Sequence, residues 1–491
     1  MKIKSLLNKV RHFKSLKWGG YMVLVNLIKQ ITLIPIFLSF LDKEVYSLWL
    51  IVISIVLLIR TMNLGQLNYS SNWININFFN KKDVSLFINN AIGANIILFF
   101  LQLLIGVIIS LPIVFSTLSG FSVDYLVEKN FTLFFLFLMV SGLSSQLFSL
   151  FYLRLLEPLG LISLRIKYDT IREFIEILIL IISIILFKNL LFISFFVVVY
   201  NLVYTFIVYR LVKYRINIIL KFGKINFGNS VKIILNSMPL LFSFILEKLY
   251  ENGLIIFISS IFNPLLVPVF ATTRTISNLA MRFSLVISEP LMPDLQKDFS
   301  NKNDYKLIDN LKYYWRLTFL PILLLFLFLI PFIESLFNIW TINKLDFNLK
   351  LFFWIFLSIF FTNYSSVISQ YFRRINYAKY LILFNITKTI STIIGLYFIN
   401  FNNSIETAGI AIFLGELLSC LLLLFMFYKI KGIVFVKNIS FYFIASLLVS
   451  IASISLLIFD NYFIFYFLCI SLIISLITYY VKTFILHRKS V

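Results

Sequence analysis

Charged residues are scarce in this chain. Asp, Glu, Lys and Arg make up 13% of its 491 residues, where an ordinary soluble domain carries about 25%. Apolar residues make up 60%, and 57 Phe and 25 Tyr are present. So few charges cannot cover the surface of a soluble fold that is this rich in apolar side chains. The composition excludes a soluble enzyme, a disordered chain and a soluble nucleic-acid-binding domain, and it predicts an all-α protein that crosses a membrane many times.

Histidine and cysteine are almost missing. The only two histidines, His12 and His487, lie near the two ends of the sequence, so neither a histidine metal site nor a Ser-His-Asp triad is expected. The two cysteines, Cys420 and Cys469, lie inside apolar runs and predict neither a disulfide framework nor a metal site. We therefore expect no metal, no cofactor and no catalytic residue, and we do not expect an enzyme.

Long apolar segments take up most of the sequence. A helix that spans a bilayer needs about 20 apolar residues, and the sequence divides into fourteen segments of that kind. They cover residues 18–41, 45–64, 84–112, 131–155, 168–187, 189–210, 231–262, 264–294, 314–339, 350–373, 378–400, 407–428, 439–459 and 462–485. This pattern predicts about fourteen transmembrane helices.

The basic residues alternate along these predicted spans. With the N-terminus placed inside, 33 of the 43 Lys and Arg residues fall in cytoplasmic segments and five fall in outside segments. Cytoplasmic loops of membrane proteins collect Lys and Arg. The pattern therefore predicts a multi-pass protein of the bacterial inner membrane with both termini in the cytoplasm. It also explains the net charge of +22 without a nucleic-acid partner.

A basic amphipathic segment divides the chain near its middle. Residues 214–230 are expected to lie on the inner membrane surface, with six predicted spans before them and eight after. Because doubled helical lobes are a common transporter plan, we predict an N-terminal lobe of spans 1–6 in residues 1–213 and a C-terminal lobe of spans 7–12 in residues 231–430. Residues 431–491 would form spans 13 and 14 and a cytoplasmic tail.

Five basic residues lie inside the predicted spans: Lys29, Lys248, Arg274, Arg282 and Lys388. A charge at the centre of a bilayer costs about 2.5–3.5 kcal/mol when it faces lipid, so each of these residues should face a hydrated interior or a partner. Arg presents a planar fork to phosphate, and Lys presents a point charge. The residues therefore predict a cationic central cavity that binds an anionic molecule during its passage across the membrane.

Several of these residues have an alternative interpretation. Arg274, Asn278 and Arg282 share one face of a helix, and this face is predicted to line the cavity. Arg282 has Glu289 on the same predicted span, so a structural ion pair is an equally good interpretation. Lys248 lies three residues before Glu251, a spacing that also allows a local ion pair.

One further cation and three carboxylates complete the set of candidates. Arg60 lies at the cytoplasmic end of span 2, where it can bind the cargo or extend to the inner headgroups. Glu247, Glu251 and Glu416 are candidates for binding a coupling H⁺ or Na⁺, and structural pairing of these carboxylates is at least as consistent with the sequence.

Two parts of the chain resemble a known family. Leu41–Ile51 with Met62–Asn68, and the stretch from Asn263 to Asp294, are similar to Wzx-type flippases of polysaccharide repeat units. These flippases belong to the multidrug/oligosaccharidyl-lipid/polysaccharide exporter superfamily. The resemblance implies two six-helix lobes in a V that rock around a cationic central cavity. It also implies that Arg274, within the matching stretch, binds the substrate.

The resemblance further implies the substrate and the partners. The substrate would be undecaprenyl diphosphate carrying an oligosaccharide repeat for O-antigen or capsule, and the partners would be membrane lipid, a polysaccharide polymerase and a chain-length regulator. A lipid II flippase and a multidrug or cation antiporter of the same superfamily remain as alternatives. A membrane glycosyltransferase is disfavoured, because every predicted outside loop is shorter than 20 residues.

Overall fold

The computed structural model describes residues 2–79, 84–156, 161–217, 224–282, 304–374, 378–399, 404–459, 469–471 and 473–474. These residues are helical almost throughout, and no strand occurs among them. Ten of the described helices are long and apolar enough to cross a membrane. The predicted all-α class and the multi-pass character are therefore confirmed, while the number of fourteen spans stays a prediction.

The helices follow one another with short connections. In chain order they are α1 (Lys2–Phe40), α2 (Lys43–Phe79), α3 (Ser85–Ile109), α4 (Pro112–Ser119), α5 (Val123–Glu128), α6 (Phe131–Ser144), α7 (Phe151–Arg154), α8 (Ile162–Phe187), α9 (Leu190–Asn217), α10 (Phe227–Lys248), α11 (Leu254–Ile261), α12 (residues 267–282), α13 (Asp304–Leu329), α14 (Ile333–Trp340), α15 (Leu349–Arg374), α16 (Ala378–Phe398), α17 (Glu406–Lys431) and α18 (Ile433–Phe459).

Two π-helical turns interrupt predicted spans. Ser145–Leu150 joins α6 to α7, and Leu249–Gly253 joins α10 to α11. A π turn inserts an extra residue into a helix and changes the direction of the side chains on either side of it, and such turns are frequent at functional sites. Both turns involve candidate residues. The first contains Ser145, which accepts a hydrogen bond from Arg60, and the second contains Glu251.

The chain forms two compact units. The first consists of Met1–Pro268 with Ile339–Leu345, and the second consists of Val269–Asn338 with Asp346–Val491. The first boundary between the two units therefore falls after Pro268. The predicted linker at 214–230 begins inside α9 and ends inside α10, and its residues 218–223 lie outside the described part of the chain. The predicted division into two membrane lobes stays a prediction.

In the first unit, α2 packs against α10, α1 packs against α8, and α6 packs against α9. Gly65 allows the first of these contacts, because a Cβ atom at this position would lie 2.5 Å from Cα of Leu241 on α10. Apolar side chains on α3 such as Phe100 and Leu104 are exposed, as expected for helices in contact with lipid. The packing of α1 on α8 brings together the charged residues described below.

In the second unit, α15 packs against α17, and α17 packs against α16. Helix α15 is the most buried of the ten helices that could cross a membrane, with 83% of its most apolar segment buried. Gly415 on α17 allows close contact with α16, because a Cβ atom there would lie 2.9 Å from the carbonyl oxygen of Lys388. Small residues commonly allow transmembrane helices to approach closely, and this approach places Lys388 beside α17.

Candidate functional site

A cavity of about 450 Å³ lies inside the first unit, between α1, α2, α6, α8 and α9. Its walls are mostly apolar, but five charged side chains line it: Lys29, Arg60, Arg172, Glu173 and Glu176. Of the cations predicted from the sequence, Lys29 and Arg60 are thus brought to one cavity. Arg172 and the two glutamates were not predicted from the sequence.

Lys29 of α1 is held by two carboxylates of α8. Its Nζ atom lies 3.0 Å from Oε2 of Glu173 and 3.3 Å from Oε1 of Glu176. The two glutamates are three residues apart, so they occupy neighbouring positions on one face of the helix. The predicted span of Lys29 contains no acid, so both of its partners come from another helix. The acidic and basic residues at helical spacing in the first half of α8 are the signal that indicates a charged face there.

Arg172 joins the same network from the next position on α8. Its Nη2 atom lies 2.7 Å from Oε1 of Glu173, so the two oxygens of Glu173 contact two different cations. The hydroxyl of Tyr200 on α9 donates a hydrogen bond of 3.0 Å to the carbonyl oxygen of Arg172. The Nε atom of Arg172 is buried and has no hydrogen-bond partner among the described residues.

Arg60 of α2 lies beside the π turn. Its Nη2 atom donates a hydrogen bond of 3.4 Å to Oγ of Ser145, and its carbonyl oxygen accepts one of 2.8 Å from Gln146. Gly142 makes room for the side chain, because a Cβ atom there would lie 2.7 Å from Cδ of Arg60. The structure therefore places this guanidinium group in an internal cavity of the unit. Contact of Arg60 with inner headgroups, the alternative interpretation from the sequence, stays a prediction.

Unlike Lys29 and Arg172, Arg60 has no carboxylate partner among the described residues. Within the described part of the chain it forms no ion pair, and its buried Nε atom has no hydrogen-bond partner. The cavity thus holds three cationic groups and two carboxylates, an excess of one positive charge. Buried charges in proteins are usually paired, so the unpaired guanidinium group of Arg60 suits an added group with negative charge.

Lys248 forms the local ion pair that its spacing allowed. Its Nζ atom contacts Oε2 of Glu251 in the π turn, and both side chains are partly exposed. Glu247, the preceding residue on α10, is also partly buried. The roles of these three residues in binding cargo or a coupling ion stay predictions.

Lys388 and Glu416 form a buried ion pair in the second unit. Nζ of Lys388 on α16 lies 2.6 Å from Oε1 of Glu416 on α17, and the two side chains are 14% and 2% exposed. The sequence alone favours a ligand role for Lys388, because its own predicted span contains no acid. The structure shows that the partner comes from the next helix, so this lysine and the proposed ion-coupling carboxylate are one feature.

The remaining candidates lie on α12. Arg274 lies over the ring of Phe270 at 5.9 Å from its centroid, which is the geometry of a cation–π contact. Arg274 and Arg282 are partly buried, and Asn278 is exposed. Glu289, the alternative partner of Arg282, lies outside the described residues.

No protein-family model and no curated protein sequence matches this chain. Its fold, however, matches solved structures. One is the lipid II flippase MurJ in an inward closed conformation, with a TM-score of 0.66 and 13% sequence identity, covering 95% of this chain and 98% of that one. Another is a point mutant of the MATE transporter VcmN of Vibrio cholerae, with a TM-score of 0.61 and 12% identity, covering 87% and 99%.

A third match is a multidrug resistance MATE family transporter of the MOP superfamily in an outward-facing conformation. Its TM-score is 0.56 at 15% identity, and the match covers 87% of this chain and 95% of that one. The three likenesses show that this chain has the fold of membrane flippases and transporters.

Proposed function

We propose that this protein is a flippase of the multidrug/oligosaccharidyl-lipid/polysaccharide exporter superfamily. Its cargo would be an undecaprenyl-diphosphate-linked oligosaccharide repeat unit, moved across the bacterial inner membrane for O-antigen or capsular polysaccharide assembly. The fold supports the class, since it matches a lipid II flippase over 95% of the chain. The motif resemblance in the first two spans and around Arg274 supports the particular cargo.

One structural observation carries the proposal. The cavity of the first unit has an excess of one positive charge, and the side chains of Arg60 and Arg172 line it. Guanidinium groups form short, charge-assisted hydrogen bonds with phosphate oxygens. A diphosphate group would therefore find a guanidinium donor at Arg60, which has no carboxylate partner among the described residues, while the polyprenyl chain stays in lipid.

Translocation would follow alternating access, in which the two lobes rock around a bound cargo. No covalent bond of the cargo changes, so the protein would act as a transporter and not as an enzyme. Arg274 is the proposed anion ligand of the second unit, on the strength of the resemblance, with Asn278 and Arg282 on the same face. Lys248 and Lys388 would have to leave Glu251 and Glu416 before they could contact cargo.

Lipid II translocation is the second candidate, because the fold match with the lipid II flippase is extensive. The diphosphate chemistry is shared, so the cavity suits either cargo. A cation antiporter is less consistent with the cavity. The two carboxylates of the cavity, Glu173 and Glu176, already form ion pairs with Lys29 and Arg172. Arg60 adds a positive charge without a carboxylate partner among the described residues, and this charge would repel a cation.

Deletion of the gene tests the proposal. We expect surface polysaccharide to be lost and the lipid-linked repeat to accumulate in the inner leaflet, with growth maintained. The wild-type gene and the exposed control Lys129→Gln should restore the polysaccharide, whereas Arg274→Ala should not restore it at equal expression. Normal polysaccharide after deletion would refute the proposed cargo. Growth arrest with accumulating lipid II would instead support the second candidate, and loss of cationic dye efflux would support an antiporter.

A further inference from the structure

Two carboxylates, Glu173 and Glu176, form ion pairs with Lys29 and Arg172 in the cavity. Without these carboxylates the cavity would suit an anion. Glu173 contacts Lys29 through Oε2 and Arg172 through Oε1, at 3.0 Å and 2.7 Å. Glu176 contacts only Lys29, through Oε1 at 3.3 Å. Glu176 therefore makes the single and longer contact of the network, and Lys29 would keep Glu173 as a partner if Glu176 moved away.

The net charge of the cavity determines whether an anion has to displace a carboxylate in order to bind. Arg60 is the cation without a carboxylate partner among the described residues, so a single negative charge would neutralise the excess. A group with two negative charges needs a second cation. Lys29 is the accessible choice, because it is 29% exposed and shares its charge between two acceptors.

We infer that Glu176 is a specificity-determining residue that competes with the phosphate groups of the cargo for Lys29. This inference rests on the proposed function. The first phosphate binds at Arg60, and the second takes the place of the Glu176 carboxylate at Lys29. Glu173 keeps its ion pair with Arg172, so the positive charge of Arg172 stays neutralised.

The competition has two consequences for transport. A neutral headgroup cannot displace Glu176, and a cationic headgroup is repelled by Arg60, so a dianionic headgroup is selected over both. When the cargo leaves, the carboxylate returns to Lys29. A transport site must bind strongly enough to admit its cargo and weakly enough to release it, and Glu176 weakens the anion site for this purpose.

A role limited to structure predicts the opposite effect on binding. If the network only ties α1 to α8, then removing the charge of Glu176 loosens the cavity and leaves anion binding unchanged or weaker. If Glu176 competes with the cargo, removing its charge strengthens anion binding. The sign of the change separates the two roles.

The experiment uses the full-length protein in detergent and native mass spectrometry with undecaprenyl diphosphate as the probe. Undecaprenol, which has the same chain and no charge, measures binding of the tail alone. We expect Glu176→Gln to bind undecaprenyl diphosphate about tenfold more tightly than the wild type, since a negative charge close to the anion is removed. Binding of undecaprenol should not change. Glu334→Gln, at an exposed carboxylate of α14, is the matched control and should leave both affinities unchanged.

Glu176→Asp provides a second variant that keeps the charge. The shorter side chain draws the carboxylate away from Lys29, so tighter binding of undecaprenyl diphosphate is expected here too, but to a smaller extent. Equal or weaker binding by both variants would overturn the inference while the proposed function stands. A wild-type protein that binds undecaprenyl diphosphate no better than undecaprenol would count against the proposed function itself.

Discussion

Nζ of Lys29 lies 3.0 Å from Oε2 of Glu173, although 144 positions separate the two residues in the sequence. The contact joins α1 to α8 inside the first unit and places a lysine of the first span within a network of charges. A lysine at this depth was expected to face water, cargo or a partner. The structure provides the partner and, in the same cavity, an arginine that has none among the described residues.

Lys29→Met should lower the stability of the protein. Glu176 would then lose its one contact and Glu173 would keep only Arg172, and removing one partner of a buried ion pair is destabilising. Because the Lys29 side chain is 29% exposed, we expect a loss of about 1–3 kcal/mol, below the range for fully buried pairs. Thermal unfolding in detergent, followed by intrinsic fluorescence, measures the change.

A double-mutant cycle provides the control for this pair. Combining Lys29→Met with Glu176→Gln removes one charge of each sign, so the double variant should be more stable than the sum of the two single effects indicates. Strictly additive effects would mean that the two side chains do not interact in the folded protein.

Arg60→Gln should separate transport from stability. The substitution removes a partly buried cation that has no carboxylate partner among the described residues, so unfolding temperature should stay the same or rise. Surface polysaccharide should nevertheless be lost, because the cargo phosphate loses the guanidinium group of Arg60 as its hydrogen-bond donor. Lys129→Gln, at an exposed ion pair with Glu128, should have neither effect. Full polysaccharide production by Arg60→Gln would contradict the assigned role of Arg60.

Gly142→Ala should disturb Arg60 without touching its charge. The added methyl group would lie 2.7 Å from Cδ of Arg60, so the guanidinium group must shift away from Ser145. We expect binding of undecaprenyl diphosphate to fall about tenfold, with a stability change of less than about 1 kcal/mol, because a flexible side chain can move. Gly20→Ala is the matched control, since no atom lies within 4 Å of a Cβ at that position. Unchanged binding in Gly142→Ala would show that the position of Arg60 is unimportant.

Lys388→Met should be among the most destabilising single changes in the second unit. Glu416, which is 2% exposed, would be left without its lysine, and breaking a buried pair in this way costs about 3–5 kcal/mol. The double variant Lys388→Met/Glu416→Leu should recover most of this loss, because an apolar pair can replace a buried ion pair. Unfolding temperature in detergent measures both effects.

Transport by that double variant decides between the two interpretations of Glu416. We expect surface polysaccharide to be made, because the pair is internally neutral and packs between two closely approaching helices. A stable double variant that makes no polysaccharide would assign the pair a direct part in translocation or ion coupling.

Much of the helical architecture follows from the sequence, because long apolar runs in a membrane have to satisfy their backbone hydrogen bonds within the segment. Predicted spans such as 84–112 and 350–373 therefore coincide closely with observed helices. The π turns were not predicted, because a single inserted residue leaves the apolar pattern almost unchanged.

The candidate site was predicted only in part. Lys29 and Arg60 were identified because a cation in or beside an apolar segment stands out, and the structure places both in one cavity. Glu173 and Glu176 were missed. Both lie in the first half of the predicted span 168–187, where their charges resemble the polar end of a span, and only contact with α1 shows that they face a cavity.

The sequence by itself determined that the charges within apolar helices need a hydrated interior or a partner, because a charge that faces hydrocarbon without compensation costs free energy. The tertiary structure decided which partner each charge has. Lys29 obtained Glu173 and Glu176, Lys388 obtained Glu416, and Arg60 obtained no carboxylate in the described part of the chain. Coulomb attraction acts over a few ångströms between groups that the helix packing brings together, and that packing is fixed by side chains distant in sequence.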